Sequence, residues 1–282
     1  MKYVVITGAS TGIGYDAARY LIEKGFHVFG SVRKQADADR VQNELGERFT
    51  PLLFDVTDGA AIETAVTQVS EMVGSNGLAG LVNNAGIAVA GPLMYLPLDE
   101  MRWQLEVNVL GQLAVTQKFL PLLGAVPNAP HPPGRIVNIS SVSGKVVYPF
   151  MGPYAASKHA IEAISDALRR ELLIFGIDVI VIGPGSVKTP IWDKAQELDT
   201  ELYSHTPYKT IMEGMKKVFV GQGRSGIPVE EVSKVIFEAL TKEKPKARYA
   251  LARKIFSGWL LPRYLPARMF DNVVAKRLGI PR

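Results

Sequence analysis

The sequence predicts an α/β fold in which helices cover both faces of a doubly wound parallel sheet of about seven strands. Short apolar runs alternate with stretches of helical periodicity along the 282 residues. The first and third runs are continuously apolar, which is typical of strands buried on both faces. A glycine-rich segment follows the first run, at a position where sheets of this kind bind ligands.

The predicted strands are residues 4–6, 28–32, 52–54, 78–82, 135–139, 179–182 and 249–251. Two of the helices between them show clear apolar repeats, at Ile62, Val66, Val69 and Val73 and at Ile161, Ile164, Leu168 and Leu172. Each crossover is expected to be right-handed. The proline-rich segment 124–134 predicts a surface loop.

The chain shows no internal repeat and no linker long enough to divide it, so residues 1–252 are predicted to form a single domain. Residues 253–282 are a basic, amphipathic C-terminal extension. From residue 241 to the end there are eleven Lys or Arg and two acids, a net charge of +9 against +5 for the whole chain. Residues 1–240 therefore carry −4, and the positive charge belongs to the tail.

Composition excludes several classes of site. There is no cysteine, so disulfides and thiolate metal sites are excluded. The four histidines have no metal-ligand spacing, and no metal site is expected; they are His27, His131, His159 and His205. The sequence shows no signal peptide and no apolar run of about 18 residues, so we expect a cytoplasmic protein.

Tyr154 and Lys158 stand four residues apart in Y-A-A-S-K, where a long helical pattern begins. On a helix, positions i and i+4 share one face, so the phenol and the ammonium would be neighbours. A nearby cation favours the phenolate, which predicts a tyrosine pKa below its usual value of about 10. The alternative is a half-buried tyrosine packed beside a solvated lysine.

The segment T-G-A-S-T-G-I-G at residues 7–14 follows the first strand and opens a helical pattern. Glycine lets the chain turn sharply and brings the backbone and a helix N-terminus close to a pyrophosphate. The alternative is a glycine-rich turn without a ligand. The strand–turn–helix context favours a Rossmann-type dinucleotide site.

The residues after the second strand favour NADP(H) over NAD(H). The strand runs into Arg33 and Lys34, and the first acid is Asp37, whereas NAD sites place a carboxylate here for the ribose hydroxyls. A guanidinium at Arg33 pairs well with a 2′-phosphate, and Ser10 could add a hydroxyl donor. The alternative of solvated loop charges suits Lys34 better than Arg33.

Further motifs accompany these at other strand ends: F-D-V-T-D, N-N-A-G, N-V-L-G, I-S-S-V-S-G and P-G-S-V-K-T. With them, residues 2–251 resemble the short-chain dehydrogenase/reductase family, in pattern closest to its hydroxysteroid and retinol dehydrogenase branch. The resemblance implies a catalytic tetrad of Asn108, Ser141, Tyr154 and Lys158. Ser141 is preferred to Ser140 because it precedes Tyr154 by 13 residues, the interval usual in the family.

The resemblance also implies the residues that contact the cofactor. Most lie in the glycine-rich loop and at the carboxyl ends of the strands: Gly8, Ser10, Thr11, Gly12, Ile13, Gly14, Arg33, Lys34, Asp55, Val56, Asn83, Ala85, Gly86, Asn108, Tyr154, Lys158, Pro184, Gly185, Val187 and Thr189. Taken singly, several of these have a structural explanation as a cap or a strand end.

The implied reaction is hydride transfer between C4 of the nicotinamide and a carbonyl or alcohol carbon. Tyr154 would donate or accept the proton, and Ser141 would bind the substrate oxygen. Lys158 would bind the nicotinamide ribose and lower the tyrosine pKa. Asn108 would anchor a water that links Lys158 to solvent.

An apolar pocket is predicted for the substrate. Segment 144–153 is largely apolar, and other residues fall near positions that line substrate pockets in the family: Leu93, Met94, Tyr95, Ile191 and Trp192. A lipophilic ketone or alcohol fits, such as a steroid, a retinoid or a fatty aldehyde. Residues 189–226 are predicted to form a mobile lid, in which His205 and Tyr208 receive no role.

Two alternatives remain open for the function, a β-ketoacyl-type or general carbonyl reductase and a non-catalytic NADP(H)-binding redox sensor. The tail is predicted to form a helix pair that packs over the substrate pocket or a neighbouring subunit. The alternative is that it makes peripheral contact with a membrane surface. We expect a homodimer or homotetramer and no nucleic-acid partner.

Overall fold

A computed structural model describes residues 1–197, 199–253 and 261–280. Its strands form one parallel sheet with the order β3-β2-β1-β4-β5-β6-β7. Their bounds are β1 (Lys2–Ile6), β2 (Phe26–Val32), β3 (Phe49–Leu53), β4 (Gly80–Asn83), β5 (Arg135–Ile139), β6 (Asp178–Pro184) and β7 (Arg248–Leu251). The predicted fold class is confirmed.

Helices follow the strands throughout the described chain. They are α1 (Gly12–Glu23), α2 (Gln35–Leu45), α3 (Gly59–Val73), α4 (Leu98–Leu105), α5 (Gln112–Phe119), α6 (Gly152–Glu171), α7 (Ile191–Gln196), α8 (Lys209–Arg224), α9 (Val229–Thr241), α10 (Leu261–Tyr264) and α11 (Ala267–Leu278). A π-helical turn, Glu106–Gly111, joins α4 to α5.

Both faces of the sheet are buried because successive side chains of each strand point to opposite faces. In β1, Val4 and Ile6 pack into the cluster formed with α1, α2 and α9, whereas Val5 packs into the cluster formed with α3 and α5. This explains why residues 4–6 of the strand are all apolar. The apolar repeat predicted for α3 buries Ile62 and Val69 in the second cluster.

Strand β3 begins three residues earlier than predicted. Thr50 and Pro51 interrupt the apolar run, yet Phe49 is fully buried and pairs with Val28 of β2. Proline lacks an N–H and is tolerated here because β3 is the edge strand of the sheet.

The strand order places β1 beside both β2 and β4, and the direction of winding reverses between β1 and β4. In open α/β sheets a crevice forms outside the carboxyl ends of the strands at such a point. The motifs at residues 7–14 and 83–86 both lie at this edge.

The lid and the tail pack together beside this edge. Over the predicted lid, residues 189–226, the chain forms α7 and α8, and Met212 and Met215 of α8 are buried with Phe150 in a third apolar cluster. In the tail, α11 packs against this cluster through Leu278. The boundary at 252 and the mobility of the lid stay predictions, and residues 198, 254–260 and 281–282 lie outside the described part. No described helix is long and apolar enough to cross a membrane.

Candidate active site

The glycine-rich loop after β1 is a tight backbone cradle. Gly8 has a φ of +69°, which favours glycine. A Cβ at Gly14 would lie 2.2 Å from the carbonyl oxygen of Gly8 and 2.5 Å from Nδ2 of Asn84. Any larger residue at Gly14 would therefore displace the loop. The glycines predicted to bind a dinucleotide are required by this geometry.

Helix α1 starts inside this loop without a capping side chain, because the side chain of Thr11 makes no capping hydrogen bond. The first amide groups of a helix attract anions, so this end of α1 suits a pyrophosphate. Ile13 is partly buried against the core and anchors the turn. From the opposite side, Thr189 approaches to 3.5 Å from where a Cβ of Gly12 would lie.

Two residues that were not predicted hold the loop in place. The hydroxyl of Thr7 accepts hydrogen bonds from the backbone N–H groups of Asn84 (2.9 Å) and Ala85 (3.0 Å). The side-chain amide of Asn84 donates to the carbonyls of Thr7 (2.9 Å) and Gly8 (3.1 Å). Both residues belong to motifs quoted from the sequence, but only the β1–β4 adjacency shows that they join.

Arg33 lies at the end of β2 with 63% of its side chain exposed, and its Nη1 is 3.7 Å from Oδ2 of Asp55 at the end of β3. The other carboxylate oxygen of Asp55 accepts from the N–H and hydroxyl of Thr57 (3.0 and 2.9 Å). Lys34 begins α2 as its N-cap residue. An exposed guanidinium is thus available at the crevice, and Asp37 lies inside α2.

Arg40 is a cation near the site that the sequence analysis missed. Its Nη2 donates to the carbonyl of Ser10 in the glycine-rich loop at 2.7 Å. On its own helix it also pairs with Asp37 (3.2 Å) and Glu44 (3.3 Å). The helical spacing explains the pairs with the acids, but no sequence signal pointed to Ser10.

The side chain of Asn83 packs inside the fold, and its predicted contact with the cofactor stays a prediction. Asn83 is buried, and its Nδ2 donates to Thr116 of α5 and Asn138 of β5, both at 2.9 Å. Asn83 lies within β4, where alternate residues point into the sheet packing and not toward the crevice. Its amide stabilises the sheet, while Ala85 and Gly86 line the edge.

Asn108 occupies the π-helical turn and is buried. Such turns insert one extra residue into a helix and often occur at functional sites. Its side chain bonds both backbone groups of Ile87, accepting at 2.8 Å and donating at 3.0 Å, and it donates to Ser157 at 3.1 Å. Its Oδ1 lies 3.1 Å from where a Cβ of Gly86 would stand. Asn108 therefore joins the segment after β4 to α6.

Val56, at the end of the β3 segment, is buried beside the same turn.

Ser141 and Tyr154 are hydrogen-bonded to each other across the crevice edge. Ser141 follows β5, and its hydroxyl oxygen accepts from the N–H of Ser143 at 3.1 Å, so its own hydrogen stays available for donation. Ser140, by contrast, is buried and its hydroxyl has no hydrogen-bond partner among the described residues. The preference for Ser141 over Ser140 agrees with this geometry.

The predicted direction of the Tyr154 pKa is wrong for the groups that the chain itself supplies. Burial raises the pKa of Tyr154 above its ordinary value, and the hydrogen bond with Ser141 offsets only part of the rise. Lys158 lies beside the ring, with Nζ 5.7 Å from the ring centroid. Its ammonium, however, donates to the carbonyl of Ile139 at 2.8 Å.

Lys158 is buried, and burial lowers its pKa to about 8, with the nearby Glu162 carboxylate opposing the change. A lysine that titrates this close to neutrality can hold or release a proton under ordinary conditions. The lysine of the pair predicted from helical spacing is therefore buried and not solvated, and the tyrosine beside it is half-buried.

The segment after β6 closes the crevice. The N–H of Gly185, which follows Pro184 at the end of the strand, donates to Leu251 at 2.7 Å. The carbonyl of Val187 accepts from the Trp192 indole at 2.6 Å, so its backbone oxygen is already engaged. Trp192 was predicted to line the substrate pocket, and it fixes this loop.

Three apolar side chains predicted to line the substrate pocket are exposed, and we call them the apolar mouth: Leu93, Met94 and Ile191. Leu93 lies over Gly152 at the start of α6, 2.9 Å from where a Cβ would stand. It therefore lies at the start of the helix that carries Tyr154, where exposed apolar surface suits a lipophilic substrate.

Aromatic rings join this mouth to the lid. His205 and Tyr208, which the sequence analysis left without a role, are among them. The ring of Tyr95 lies 5.8 Å from His205 and 6.0 Å from Tyr208, and Phe150 lies 5.7 Å from Tyr208. Phe150 has a φ of 66°, an uncommon conformation for a residue with a side chain.

The tail covers the other side of the segment between Ser141 and Tyr154. Tyr148 contacts Phe219 of α8 at 6.3 Å and Phe270 of α11 at 5.9 Å. This agrees with the favoured interpretation of the tail as a helical cover. Among the described residues, no group of three or more histidines and acids could hold a metal ion.

Comparison with known proteins places the site in context. The family model for short chain dehydrogenases matches residues 2–199. The NADPH-dependent 3-dehydrocapnine reductase of Ornithobacterium rhinotracheale is 43% identical over 99% of this chain and 98% of its own length. Retinol dehydrogenase 16 of Mus musculus is 34% identical over 97% of this chain and 87% of its own.

The solved structures agree with the fold. An actinorhodin polyketide ketoreductase solved with NADPH superposes with a TM-score of 0.74 at 29% identity, covering 89% of this chain and 94% of its own. A short-chain dehydrogenase from Streptomyces avermitilis gives a TM-score of 0.76 at 25% identity, covering 98% and 94%.

Proposed function

This chain belongs to the short-chain dehydrogenase/reductase family, and on that premise we propose that it is an NADP(H)-dependent oxidoreductase that reduces a carbonyl group of a lipophilic substrate. The observation that carries the proposal is the half-buried Tyr154 beside the buried Lys158, with Ser141 hydrogen-bonded to the phenol. Arrangements of this kind serve proton transfer to a reacting oxygen.

The residues around the crevice fit NADP(H). The glycine cradle and the uncapped start of α1 would hold the pyrophosphate. Arg33, which is exposed and 3.7 Å from Asp55, would pair with the 2′-phosphate. Lys158 would bind the ribose hydroxyls beside the nicotinamide. The name of the Ornithobacterium relative, an NADPH-dependent reductase, supports this cofactor.

When bound, NADPH supplies the hydride. Tyr154 donates its proton to the substrate oxygen as negative charge grows there, and Ser141 donates a hydrogen bond to the same oxygen. The raised pKa of Tyr154 keeps the phenol protonated near neutral pH, which is the form that reduction requires. Lys158 can then return a proton to the phenolate, because its pKa of about 8 lies close to the working pH.

Asn108 keeps these elements in register by joining Ile87 to Ser157, and Ser157 donates to the carbonyl of Tyr154 at 2.7 Å. We propose that this chain of bonds holds the start of α6 against the segment after β4. The expected water link from Asn108 to Lys158 stays a prediction.

The mouth of the pocket supports a lipophilic substrate, a class that includes steroids, retinoids and fatty aldehydes. Leu93, Met94 and Ile191 present apolar surface to solvent, and the aromatic rings of Tyr95 and Phe150 extend it toward the lid. The similarity to a retinol dehydrogenase supports the same class.

The proposal is tested by following NADPH oxidation against a panel of carbonyl compounds. The panel contains a steroid ketone, retinaldehyde, a long-chain aldehyde, an acetoacetyl thioester and a short polar ketone. The proposal expects turnover of at least one long apolar compound and much slower turnover of the polar ketone. A preference for the thioester would favour the β-ketoacyl-type alternative, and NADPH binding without turnover of any compound would favour the redox sensor.

A second candidate activity, contact with a membrane surface, is favoured by the outer side of α11. Met269 and Val273 are exposed one turn apart, and basic residues flank them on the same helix, among them Arg268, Lys276 and Arg277. Cations beside an apolar stripe suit an anionic lipid surface.

Sedimentation with anionic vesicles tests this contact. Wild-type protein is expected to pellet, and the double variant Met269→Ser and Val273→Ser is expected to stay in the supernatant. Both should stay in solution with zwitterionic vesicles, because the attraction is partly electrostatic. Equal pelleting of both proteins, or of neither, contradicts membrane contact.

A further inference from the structure

A carboxylate that the proposed chemistry does not use lies buried behind the catalytic pair. Glu162 stands on α6 one turn after Lys158 and two turns after Tyr154, and only 4% of its side chain is exposed. Burying an unpaired carboxylate is strongly unfavourable, so such a group is kept only with compensating charges.

Two cations from other elements provide that compensation. Lys145, in the segment that follows Ser141, places Nζ 3.3 Å from Oε2 of Glu162. Arg248, at the start of β7, forms a close ion pair with the same oxygen and lies 4.0 Å from Asp166. The carboxylate therefore joins the catalytic helix to the segment after β5 and to β7.

The segment passes directly over the carboxylate. A Cβ at Gly144 would lie 2.9 Å from Cγ and 3.2 Å from Oε1 of Glu162, and 2.7 Å from the hydroxyl of Ser140. Glycine is thus needed at this position for the segment to descend onto α6. The contact fixes the path of the chain between Ser141 and Lys145.

We propose that Glu162 is a positioning residue for the reaction: through Lys145 it holds the Ser141 segment against α6, through Arg248 it ties α6 to β7, and its negative charge acts on the buried ammonium of Lys158. The inference rests on the proposed function, because it assigns a role in the same proton transfer. It concerns a residue outside the Asn108, Ser141, Tyr154 and Lys158 set.

The electrostatic balance around Lys158 supports the proposal. Burial lowers the pKa of Lys158 to about 8, and the charge of Glu162 acts against that decrease. The charged and titratable groups that face this region are Tyr154 and Asp166 on α6, Lys145 on the segment after β5 and Arg248 on β7. Glu162 is the acid that lies one turn from Lys158.

Two variants test the proposal through opposite effects. Glu162→Gln removes the negative charge while keeping the shape, so the alkaline limb of kcat/KM for ketone reduction should move to lower pH. The variant and wild type should differ about tenfold near pH 9 and converge near pH 6. Lys145→Met removes a positive charge near Glu162, so the same limb should move to higher pH. Glu171→Gln, an exposed carboxylate on the same helix, should leave it unchanged.

A purely structural role would lower activity in both variants without moving the limb in opposite directions, and that result would overturn the proposal. A shift of both limbs in one direction would do the same. Circular dichroism checks that each variant is folded.

A second test of Glu162 does not depend on turnover. It measures the NADPH dissociation constant by fluorescence as a function of pH. If no ketone is reduced, the proposed function fails, while opposite shifts of the binding curve would still support Glu162.

Discussion

Ser140 and Ser141 are neighbours in the chain with different surroundings. The hydroxyl of Ser141 bonds Tyr154 and accepts from Ser143, whereas that of Ser140 is buried without a hydrogen-bond partner among the described residues. The Ser141 hydroxyl can stabilise charge on a substrate oxygen. The Ser140 hydroxyl contributes only the unfavourable free energy of its desolvation.

We therefore predict that Ser141→Ala lowers kcat/KM for the ketone by about 100-fold or more, because it removes a donor to the reacting oxygen. Ser140→Ala is the matched control. It should keep most of the activity and lose no stability, because it removes an unpartnered buried hydroxyl. Steady-state kinetics and urea unfolding check both variants, and equal losses of activity would contradict the assignment of Ser141.

Lys158 reduces the stability of the fold at neutral pH. Its pKa is about 8 in the folded protein and 10.5 as the ordinary value, so the unfolded chain binds the proton more tightly. The cost of burying the ammonium is therefore present in full below about pH 8 and disappears as the pH rises toward about 10.5.

The variant Lys158→Met is accordingly predicted to raise the free energy of unfolding at pH 7 by up to about 3 kcal/mol and to abolish turnover. The stability gain should vanish by about pH 10. Urea unfolding at the two pH values measures it. A variant that is less stable than wild type at pH 7 contradicts the burial argument.

At the residue scale, the sequence predicted that Tyr154 and Lys158 are neighbours, but it did not correctly predict the direction of the tyrosine pKa. Helical spacing put Tyr154 and Lys158 on one face, and the structure agrees. The direction of the tyrosine pKa depends on burial, which is set by how the whole chain packs around the helix. Spacing along one helix carries no information about such burial.

At the scale of elements, the choice between NADPH and NADH depends on the residues between the end of β2 and the start of α2. Arg33 follows β2 with an exposed guanidinium near Asp55, and Lys34 is the N-cap residue of α2 without a capping hydrogen bond from its side chain. A charge-assisted bond from Arg33 to a 2′-phosphate is available to NADPH and not to NADH.

Arg33→Asp is expected to raise the dissociation constant of NADPH by about 10- to 100-fold and that of NADH much less, because a charged hydrogen bond is replaced by repulsion. Fluorescence titration with each cofactor measures the change. Lys34→Asp, one residue further on, should have a smaller effect. If Arg33→Asp weakens both cofactors equally, Arg33 does not select between them.

The elements also mark the limit of the sequence prediction. The strands, the glycine-rich turn and α6 were foreseen because their signals are local. The contact of Arg40 with Ser10 and the ion pairs of Glu162 with Lys145 and Arg248 join elements distant in sequence. They become visible only when the strand order is known. The hydrogen bonds of the Asn83 side chain with Thr116 and Asn138 were not predicted for the same reason.

For the whole molecule, cofactor binding should stabilise the fold, since the crevice joins residues after β1, β4 and β6. A ligand at about 100 times its dissociation constant adds about 2.7 kcal/mol. For a chain of this size that corresponds to a rise in Tm of about 5 to 10 °C. NADPH should produce this shift and NADH at the same concentration a smaller one, as thermal unfolding would show. Equal shifts would contradict the preference for NADPH.

The predicted homodimer or homotetramer stays a prediction, and sedimentation velocity would check it. For the tail, by contrast, the structure shows a contact, because Phe270 of α11 lies against Tyr148. Its inner side belongs to the fold of the chain, and its outer side is open to a further partner.

The central claim is that Tyr154 donates the proton when the carbonyl is reduced. The most direct test compares Tyr154→Phe with wild type, measuring single-turnover NADPH oxidation with the best ketone of the panel and NADPH affinity by fluorescence. The variant keeps the ring and loses only the acid, so we predict a rate at least about 1,000-fold lower with an unchanged dissociation constant. A variant that oxidises NADPH within a few-fold of the wild-type rate would contradict the account.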